Sequence, residues 1–209
     1  MEVVISKPKI LFIIFFSLIS FSAFTQDLSS MKDAFTNSYA YEKNKDYSKA
    51  ISEIFKVNDE KSYEINIRLG WLYYESGSYT TSAQYYEKAI ALMPYSIEAR
   101  LGYVLPEKAL GNMDMVKAAY DAILKIDPQN SYANYNLGLI YYNNKDYQSA
   151  YTYLEKIANM YPFDYDITIL YAWINIQLGK LREAKVLFTK SLLIKPDDTS
   201  ATQGLSLIK

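Results

Sequence analysis

The 209-residue sequence contains no cysteine and no histidine. Without these residue types the chain cannot form a Ser–His–Asp triad, a cysteine nucleophile, a zinc site with His or Cys ligands, a histidine-ligated haem or a disulfide. Carboxylates, Lys, Tyr, Ser and Thr are the side chains that remain for catalysis. No Gly-rich phosphate loop, metal-ligand cluster or nucleophile signature appears among them. We therefore expect no enzymatic activity, no cofactor and no metal.

The charge of the chain is nearly balanced, with 22 Lys and Arg against 23 Asp and Glu and a net charge of -1. A protein that binds DNA or RNA needs a basic surface to neutralise phosphates, so we expect no nucleic-acid partner. Half of the residues are hydrophobic (50%) and 22% are charged, which is the composition of a folded chain rather than a disordered one.

The first residues have the composition of an export signal. Lys7 and Lys9 precede an apolar run from Ile10 to Phe24, and polar sequence follows from Asp27. A basic start, an apolar run of about 15 residues and small residues near its end are typical of a secretory signal peptide. We predict a signal peptide over residues 1–25 and an exported protein (periplasm, cell envelope or secreted), with the cut after Thr25, Ala23 or Ser22. The alternative is an uncleaved anchor, in which residues 10–24 alone contact the membrane.

The few prolines reveal an internal repeat. Pro94, Pro128, Pro162 and Pro196 follow one another at a constant interval, which we call the repeat period, and Pro8 and Pro106 are the two others. Aligning on these prolines superimposes Leu69–Tyr74 (LGWLYY) on Leu137–Tyr142 (LGLIYY). Each copy continues with a short turn and a second apolar-periodic stretch. Because proline cannot donate a hydrogen bond within a helix, each regularly placed proline predicts a break between two copies.

This pattern resembles the tetratricopeptide repeat family over most of residues 26–209. The resemblance implies an all-α fold, a right-handed superhelical solenoid of antiparallel helix pairs. It divides residues 26–209 into about five units, near residues 31–62, 63–96, 97–130, 131–164 and 165–198, with a closing helix at 199–209. The resemblance also implies a binding scaffold or adaptor whose partner is another protein or a peptide.

In this family the first helix of each pair lines the concave face of the array, and the chain places large apolar residues there at helical spacing. Both tryptophans belong to this set. Trp and Tyr are enriched at binding hot spots, so we predict a peptide-binding groove. We call these fourteen residues the groove stripe: Phe35, Tyr39, Ile67, Trp71, Tyr74, Leu101, Leu105, Tyr132, Tyr135, Leu139, Tyr142, Ile169, Trp173 and Ile176.

Three alternatives remain open from the sequence. The groove stripe could be packing between neighbouring first helices rather than a binding surface. The array could self-associate into a homo-oligomer, or serve as a membrane-anchored structural scaffold of an envelope assembly. It could also supply only spacing within a larger repeat-containing system.

Some family members hold the C-terminal carboxylate of chaperone tails with Lys, Asn and Arg on the concave face. Here Phe35, Tyr39, Ile67 and Trp71 occupy the corresponding places of the first two units. Arg68 and Asn136 are isolated polar residues of that kind. We expect no such carboxylate clamp.

The unit at residues 97–130 departs from the repeat pattern. Pro106 falls inside its first helix, and Glu107 stands where Tyr73 and Tyr141 stand in other units. An interior proline costs roughly 3 kcal/mol unless the helix kinks or ends there. One interpretation is a kink or hinge that reshapes the middle of the groove, and the other, which we favour, is sequence drift that the neighbouring units tolerate.

Overall fold

The computed structural model of the chain describes residues 28–57 and 59–208. The predicted signal peptide lies outside this part. All regular structure in the described residues is helical, without a strand, as the repeat pattern predicts. The helices are α1 (28–43), α2 (Tyr47–Phe55), α3 (Tyr63–Glu75), α4 (Tyr79–Leu92), α5 (Ile97–Leu110), α6 (Met113–Ile126), α7 (Ser131–Asn143), α8 (Tyr147–Ala158), α9 (Tyr165–Gln177), α10 (Leu181–Ile194) and α11 (Thr199–Ser206).

The same side-chain cap starts the first helix of each pair from α3 onwards, and also the closing helix α11. A Ser, Asn or Asp side chain accepts a hydrogen bond from the backbone N–H three residues later, which satisfies one of the free donors of the first turn. These caps recur at the repeat period, so the period also sets where the helices begin. The five capping residues are Ser62, Ser96, Asn130, Asp164 and Asp198.

The turns between paired helices contain one residue in the left-handed region. Gly77, Gly111 and Gly179 occupy this place with φ of 80°, 78° and 71°. Lys45 and Lys145 occupy it in the other two turns, with φ of 59° and 62°. Glycine adopts this conformation without steric cost, whereas a side chain with a Cβ is strained by it.

The chain divides into two compact bodies at Pro94 and Tyr95. We call the residues up to Pro94 the N-terminal body and those from Tyr95 the C-terminal body. In the N-terminal body the core lies between α2 and α3. It consists of Ala50, Ile54, Ile65, Leu69 and Leu72, which are fully buried.

Close helix contacts in each body need small residues. In the N-terminal body the Ser82 hydroxyl donates to the backbone oxygen of Gly70 over 2.7 Å, joining α4 to α3. In the C-terminal body Gly138 on α7 lies so close to Leu154 on α8 that an added Cβ would overlap the leucine side chain. Gly204 on α11 has the same relation to Phe188 on α10. A larger residue at Gly138 or Gly204 would displace these buried side chains, so glycine allows the helices to approach this closely.

Helix α5 continues through Pro106. The helix is unbroken from Ile97 to Leu110, and the proline ring is buried in it. Pro106 therefore does not end the helix. Glu107, the next residue, is also buried, and its carboxylate accepts a hydrogen bond of 2.8 Å from Asn112 Nδ2.

Within residues 28–57 and 59–208, none of the helices combines the length and the hydrophobicity that a membrane span requires. The apolar run at residues 10–24 falls outside this range.

Candidate functional site

Five groove-stripe residues lie on α1 and α3 of the N-terminal body. Phe35 and Tyr39 are successive on one face of α1, with ring centroids 6.4 Å apart. Trp71 and Tyr74 are neighbours on α3, with centroids 5.8 Å apart. Tyr39 is the most exposed, with 56% of its surface accessible. Phe35, Ile67, Trp71 and Tyr74 are half-buried, so all five side chains retain some accessible surface.

A polar network holds this face together. Arg68 on α3 donates from Nε and Nη2 to the Ser38 hydroxyl on α1, over 3.1 and 2.9 Å. Its Nη1 lies 2.6 Å from Glu42 Oε2. The same guanidinium lies 3.9 Å from the Tyr39 ring centroid, in a cation–π contact. The sequence alone marks Arg68 as an isolated residue, but it is the centre of the α1–α3 contact.

Glu42 also accepts a hydrogen bond from the indole N–H of Trp71. This bond uses the only donor that the Trp71 side chain has. Any ligand on this face would therefore meet the ring of Trp71 and not its N–H group.

The other nine groove-stripe residues lie on the first helices of the C-terminal body. None of them is buried, and Tyr132 is the most exposed at 50%. The helices also present a second, buried row toward the core, including Leu137 and Ala133 on α7 and Ile167, Leu170 and Ile174 on α9. The nine residues of the stripe are Leu101 and Leu105 on α5; Tyr132, Tyr135, Leu139 and Tyr142 on α7; and Ile169, Trp173 and Ile176 on α9.

Trp173 is fixed by contacts within its own body, as Trp71 is. Its indole N–H donates to the Ser200 hydroxyl on α11 over 2.9 Å. Its ring meets the buried Phe188 ring edge to face, with centroids 5.1 Å apart. Part of the Trp173 surface is therefore packing within its own body, and the remainder is accessible.

Two stripe tyrosines on α7 have raised pKa values. Burial raises the pKa of Tyr135, and the nearby carboxylates of Asp166 and Asp164 raise it further. Burial also raises the pKa of Tyr142, whose ring packs against Tyr147 with centroids 5.6 Å apart. Both hydroxyls stay protonated at neutral pH, so they can donate hydrogen bonds to a ligand.

Lys108 occupies the same helical position as two stripe residues without belonging to the stripe. It stands one repeat period after Tyr74 and one before Tyr142, and its Nζ lies 3.2 Å from Asn136 Oδ1 on α7. Burial lowers the pKa of this lysine. Because the groove stripe was selected as a row of apolar residues, it omits Lys108. The repeat period alone would have identified this position, since it aligns with Tyr74 and Tyr142.

Each body thus presents a face of partly exposed aromatic and aliphatic side chains on its first helices. Such a face can bury apolar groups of a ligand and offers tyrosine hydroxyls as hydrogen-bond donors. No group of three or more acidic side chains in the described residues is arranged to hold a metal ion.

Comparison with protein-family models gives two matches. The model described as "Tetratricopeptide repeat" matches residues 63–95, which contain α3 and α4. The model described as "Anaphase-promoting complex, cyclosome, subunit 3" matches residues 117–191. The first match supports a tetratricopeptide repeat in residues 63–95, and each match covers less than half of the chain.

A relative and several solved structures are also similar to this chain. The TPR repeat-containing protein MJ1428 of Methanocaldococcus jannaschii is 27% identical over 125 residues, which are 57% of this chain and 21% of that protein. The chain therefore spans about a fifth of that relative's length.

Among crystal structures, a tetratricopeptide repeat protein from Parabacteroides merdae aligns with a TM-score of 0.72 and 18% identity, covering 86% of this chain and 72% of that one. A MamA protein aligns with a TM-score of 0.67 and 20% identity, covering 80% and 92%. At these identities the likeness shows the fold, which is that of helical tetratricopeptide arrays.

Proposed function

We propose that this tetratricopeptide-repeat chain is a non-enzymatic scaffold that binds an apolar segment of another protein through the groove stripe. Arrays of stacked helix pairs commonly use their extended concave surfaces for binding. The observation that carries the proposal is the accessibility of the stripe: fourteen large apolar side chains on first helices, none of them buried. Tyr39 and Tyr132 are exposed and the other twelve are half-buried, several of them packed against the core clusters on one side, so the apolar surface that remains is what a partner would cover.

The contacts of the stripe also indicate which chemistry it would recognise. Both indole N–H groups are occupied by Glu42 and Ser200, so the tryptophans would offer ring surface. Hydrogen bonds would come mainly from tyrosine hydroxyls, such as those of Tyr39 and Tyr132. A segment with apolar anchors at helical or extended spacing, and few charges, fits this surface.

The test compares two variants that remove the same atoms from different places. Tyr39→Ser with Tyr132→Ser removes the two most exposed stripe rings. Tyr95→Ser with Tyr161→Ser is the matched control, because these tyrosines are 83% and 43% exposed and lie outside the stripe. The full-length chain, tagged at its C-terminus, is expressed in its host and captured with its partners.

We expect a protein that is retained by the wild type and the control pair but lost, or weakened at least about tenfold, with the stripe pair. A synthetic segment of that protein should then bind the purified wild type and the control pair more tightly than it binds the stripe pair. If the two pairs of variants capture the same proteins as the wild type, the stripe is packing and this proposal is wrong.

The location of the protein is part of the proposal. Lys7, Lys9 and the apolar run Ile10–Phe24 favour export with removal of residues 1–25. Mass spectrometry of the N-terminus of the protein from its host tests this. A first residue near Gln26 supports a released protein, whereas an intact N-terminus supports the membrane-anchored scaffold.

Self-association is the other structural alternative, and it has its own test. Light scattering on the purified protein reports the mass in solution. A stable dimer that dissociates in the stripe pair but not in the control pair would mean that the groove stripe is a homo-oligomer interface.

A further inference from the structure

The repeat contains a tyrosine pair that joins the two helices of a unit. Tyr73 on α3 stacks on Tyr85 on α4, with ring centroids 5.3 Å apart and an interplanar angle of 6°. Tyr141 on α7 stacks on Tyr153 on α8 in the same way, at 5.4 Å and 11°. Two rings therefore fill the space beside the second helix in each of these units.

The last unit has smaller residues at both places. Asn175 and Leu187 stand one repeat period after Tyr141 and Tyr153. A surface pocket of about 360 Å³, widely open to solvent, lies there between α9 and α10. Because Asn175 and Leu187 are both smaller than tyrosine, no stacked ring pair fills this space. The pocket is lined by Tyr171, Asn175, Arg182, Glu183, Val186 and Leu187.

Asn175 is a buried polar residue whose hydrogen bonding is incomplete. It is 1% exposed, and its Nδ2 donates to the backbone oxygen of Tyr171 over 2.7 Å. Its Oδ1 has no hydrogen-bond donor among the described residues. Because Nδ2 points back to the helix backbone, Oδ1 is on the opposite side of the amide. A buried hydrogen-bond acceptor without a donor is unfavourable, and native proteins rarely contain such an atom.

The unit at residues 97–130 provides a contrast. Glu107 and Ala119 take the places of the tyrosine pair there, and Glu107 is also buried. Its carboxylate accepts a hydrogen bond from Asn112, so that polar group has a donor from within the chain. Asn175 and Glu107 both replace the first tyrosine of the pair, and of these two residues Asn175 has an acceptor without a donor among the described residues.

We propose that the pocket at Asn175 binds a phenolic ring, as carried by a tyrosine side chain, with the phenol hydroxyl donating to Asn175 Oδ1. Tyr171, Val186 and Leu187 form the apolar walls, where the ring takes the space that a tyrosine ring fills in the preceding unit. Because Oδ1 is itself buried, binding in this way requires the Asn175 amide to turn toward the pocket. The volume is within the range of pockets that hold small ligands. This site lies outside the groove stripe, so it does not depend on the proposed function.

The probes are small molecules of defined chemistry, titrated against the full chain and followed by the methyl NMR signals of Val186 and Leu187. p-Cresol carries the tyrosine ring and its hydroxyl, and toluene carries the ring alone. N-Acetyl-tyrosinamide carries the ring on a peptide backbone. We expect saturable shifts with p-cresol and binding of toluene at least about tenfold weaker, since the hydroxyl would supply the missing donor.

Two variants separate the features of the site. Asn175→Tyr with Leu187→Tyr rebuilds the stacked pair of the preceding unit and should abolish binding, with the methyl signals of Val186 as readout. Asn175→Leu keeps an apolar pocket but removes the acceptor, so p-cresol and toluene should then bind equally. This second variant also tests the proposal should the rebuilt pair prevent folding.

The outcomes are distinct. p-Cresol binding that depends on Asn175 supports the site, and binding of N-acetyl-tyrosinamide as well identifies a tyrosine residue rather than a free phenol as the fitting source. Absence of saturable shifts with p-cresol, or equal affinities for p-cresol and toluene in the wild type, would overturn the proposal.

Discussion

Arg68 on α3 and Glu42 on α1 form a 2.6 Å ion pair in which the arginine side chain is only 5% exposed and the glutamate side chain 22%. The two residues are 26 positions apart in the sequence. The pair, with the Ser38 hydroxyl, is the polar contact that joins α1 to α3 under Tyr39 and Trp71.

Removing one partner of this pair should be more costly than removing both. Glu42→Ala leaves the Arg68 charge buried without its carboxylate and should lower the free energy of unfolding by about 2–3 kcal/mol. The double variant Glu42→Leu with Arg68→Met should lower the free energy of unfolding by less than the sum of the losses in Glu42→Leu alone and Arg68→Met alone. Urea denaturation, followed by the fluorescence of Trp71 and Trp173, measures the cycle. A loss in Glu42→Ala no larger than that of an exposed ion pair, about 0.5 kcal/mol, would show that the pair is solvated.

The left-handed turn at Lys145 offers a stabilising change. Lys145→Gly should raise the free energy of unfolding by about 0.5–1 kcal/mol, because glycine adopts a φ of 62° without steric cost. The matched control is Lys156→Gly in the last turn of α8, which should lower stability by up to about 1 kcal/mol. Thermal unfolding of the two variants and the wild type tests both signs. Equal destabilisation by the two changes would contradict the conformational argument.

A methyl group at Gly138 should be poorly tolerated. Gly138→Ala places a Cβ into the Leu154 side chain, and we expect a loss of about 2 kcal/mol as α7 and α8 separate. Gly70→Ala is the matched change in the N-terminal body. Its Cβ would be 3.0 Å from carbons of the Tyr86 ring, so a smaller loss is expected. Chemical denaturation that ranks the two variants in the opposite order would refute this reading of the helix contacts.

The acid sensitivity of the α8 cap follows from Asp146. Hydrogen bonds from Ser149 lower the pKa of this carboxyl below its ordinary value of 3.8. A lowered pKa in the folded state means that the charged form stabilises the fold, and that this contribution is lost as the pH falls below about 4 toward the folded-state pKa.

Asp146→Asn keeps a hydrogen-bond acceptor at the cap but removes the charge. The wild type should therefore be the more stable protein at neutral pH, and the difference should shrink as the pH falls through this window. Unfolding in urea at several pH values between 7 and about 3 measures it. A difference that is constant with pH would mean that the charge of Asp146 makes no contribution.

The repeat period determined most of the secondary structure. Prolines and capping residues that recur at this period place the breaks between helices, because proline and the caps act on the backbone within a few residues. The alternation of buried and half-buried positions on α7 and α9 likewise follows from apolar residues at helical spacing. Such effects are local, so the sequence alone contains them.

Pro106 shows where a local rule was insufficient. The sequence allowed either a kink that reshapes the groove or a proline that the neighbouring units tolerate, and α5 continues to Leu110 with Pro106 buried. Burial in a packed unit can offset the loss of one backbone hydrogen bond, and that compensation comes from residues on other helices.

By itself, the sequence therefore determined the class of fold, the helix boundaries near the repeated caps and the row of apolar side chains on the first helices. Tertiary structure decided the partners of those side chains: Glu42 for Arg68 and Trp71, Ser200 for Trp173, and none for the Oδ1 atom of Asn175 among the described residues. The physical reason is the range of the interactions. Caps, breaks and periodicity act within one or two turns of helix, whereas ion pairs, hydrogen bonds between helices and cavities depend on side chains far apart in the sequence or on rings that a unit lacks.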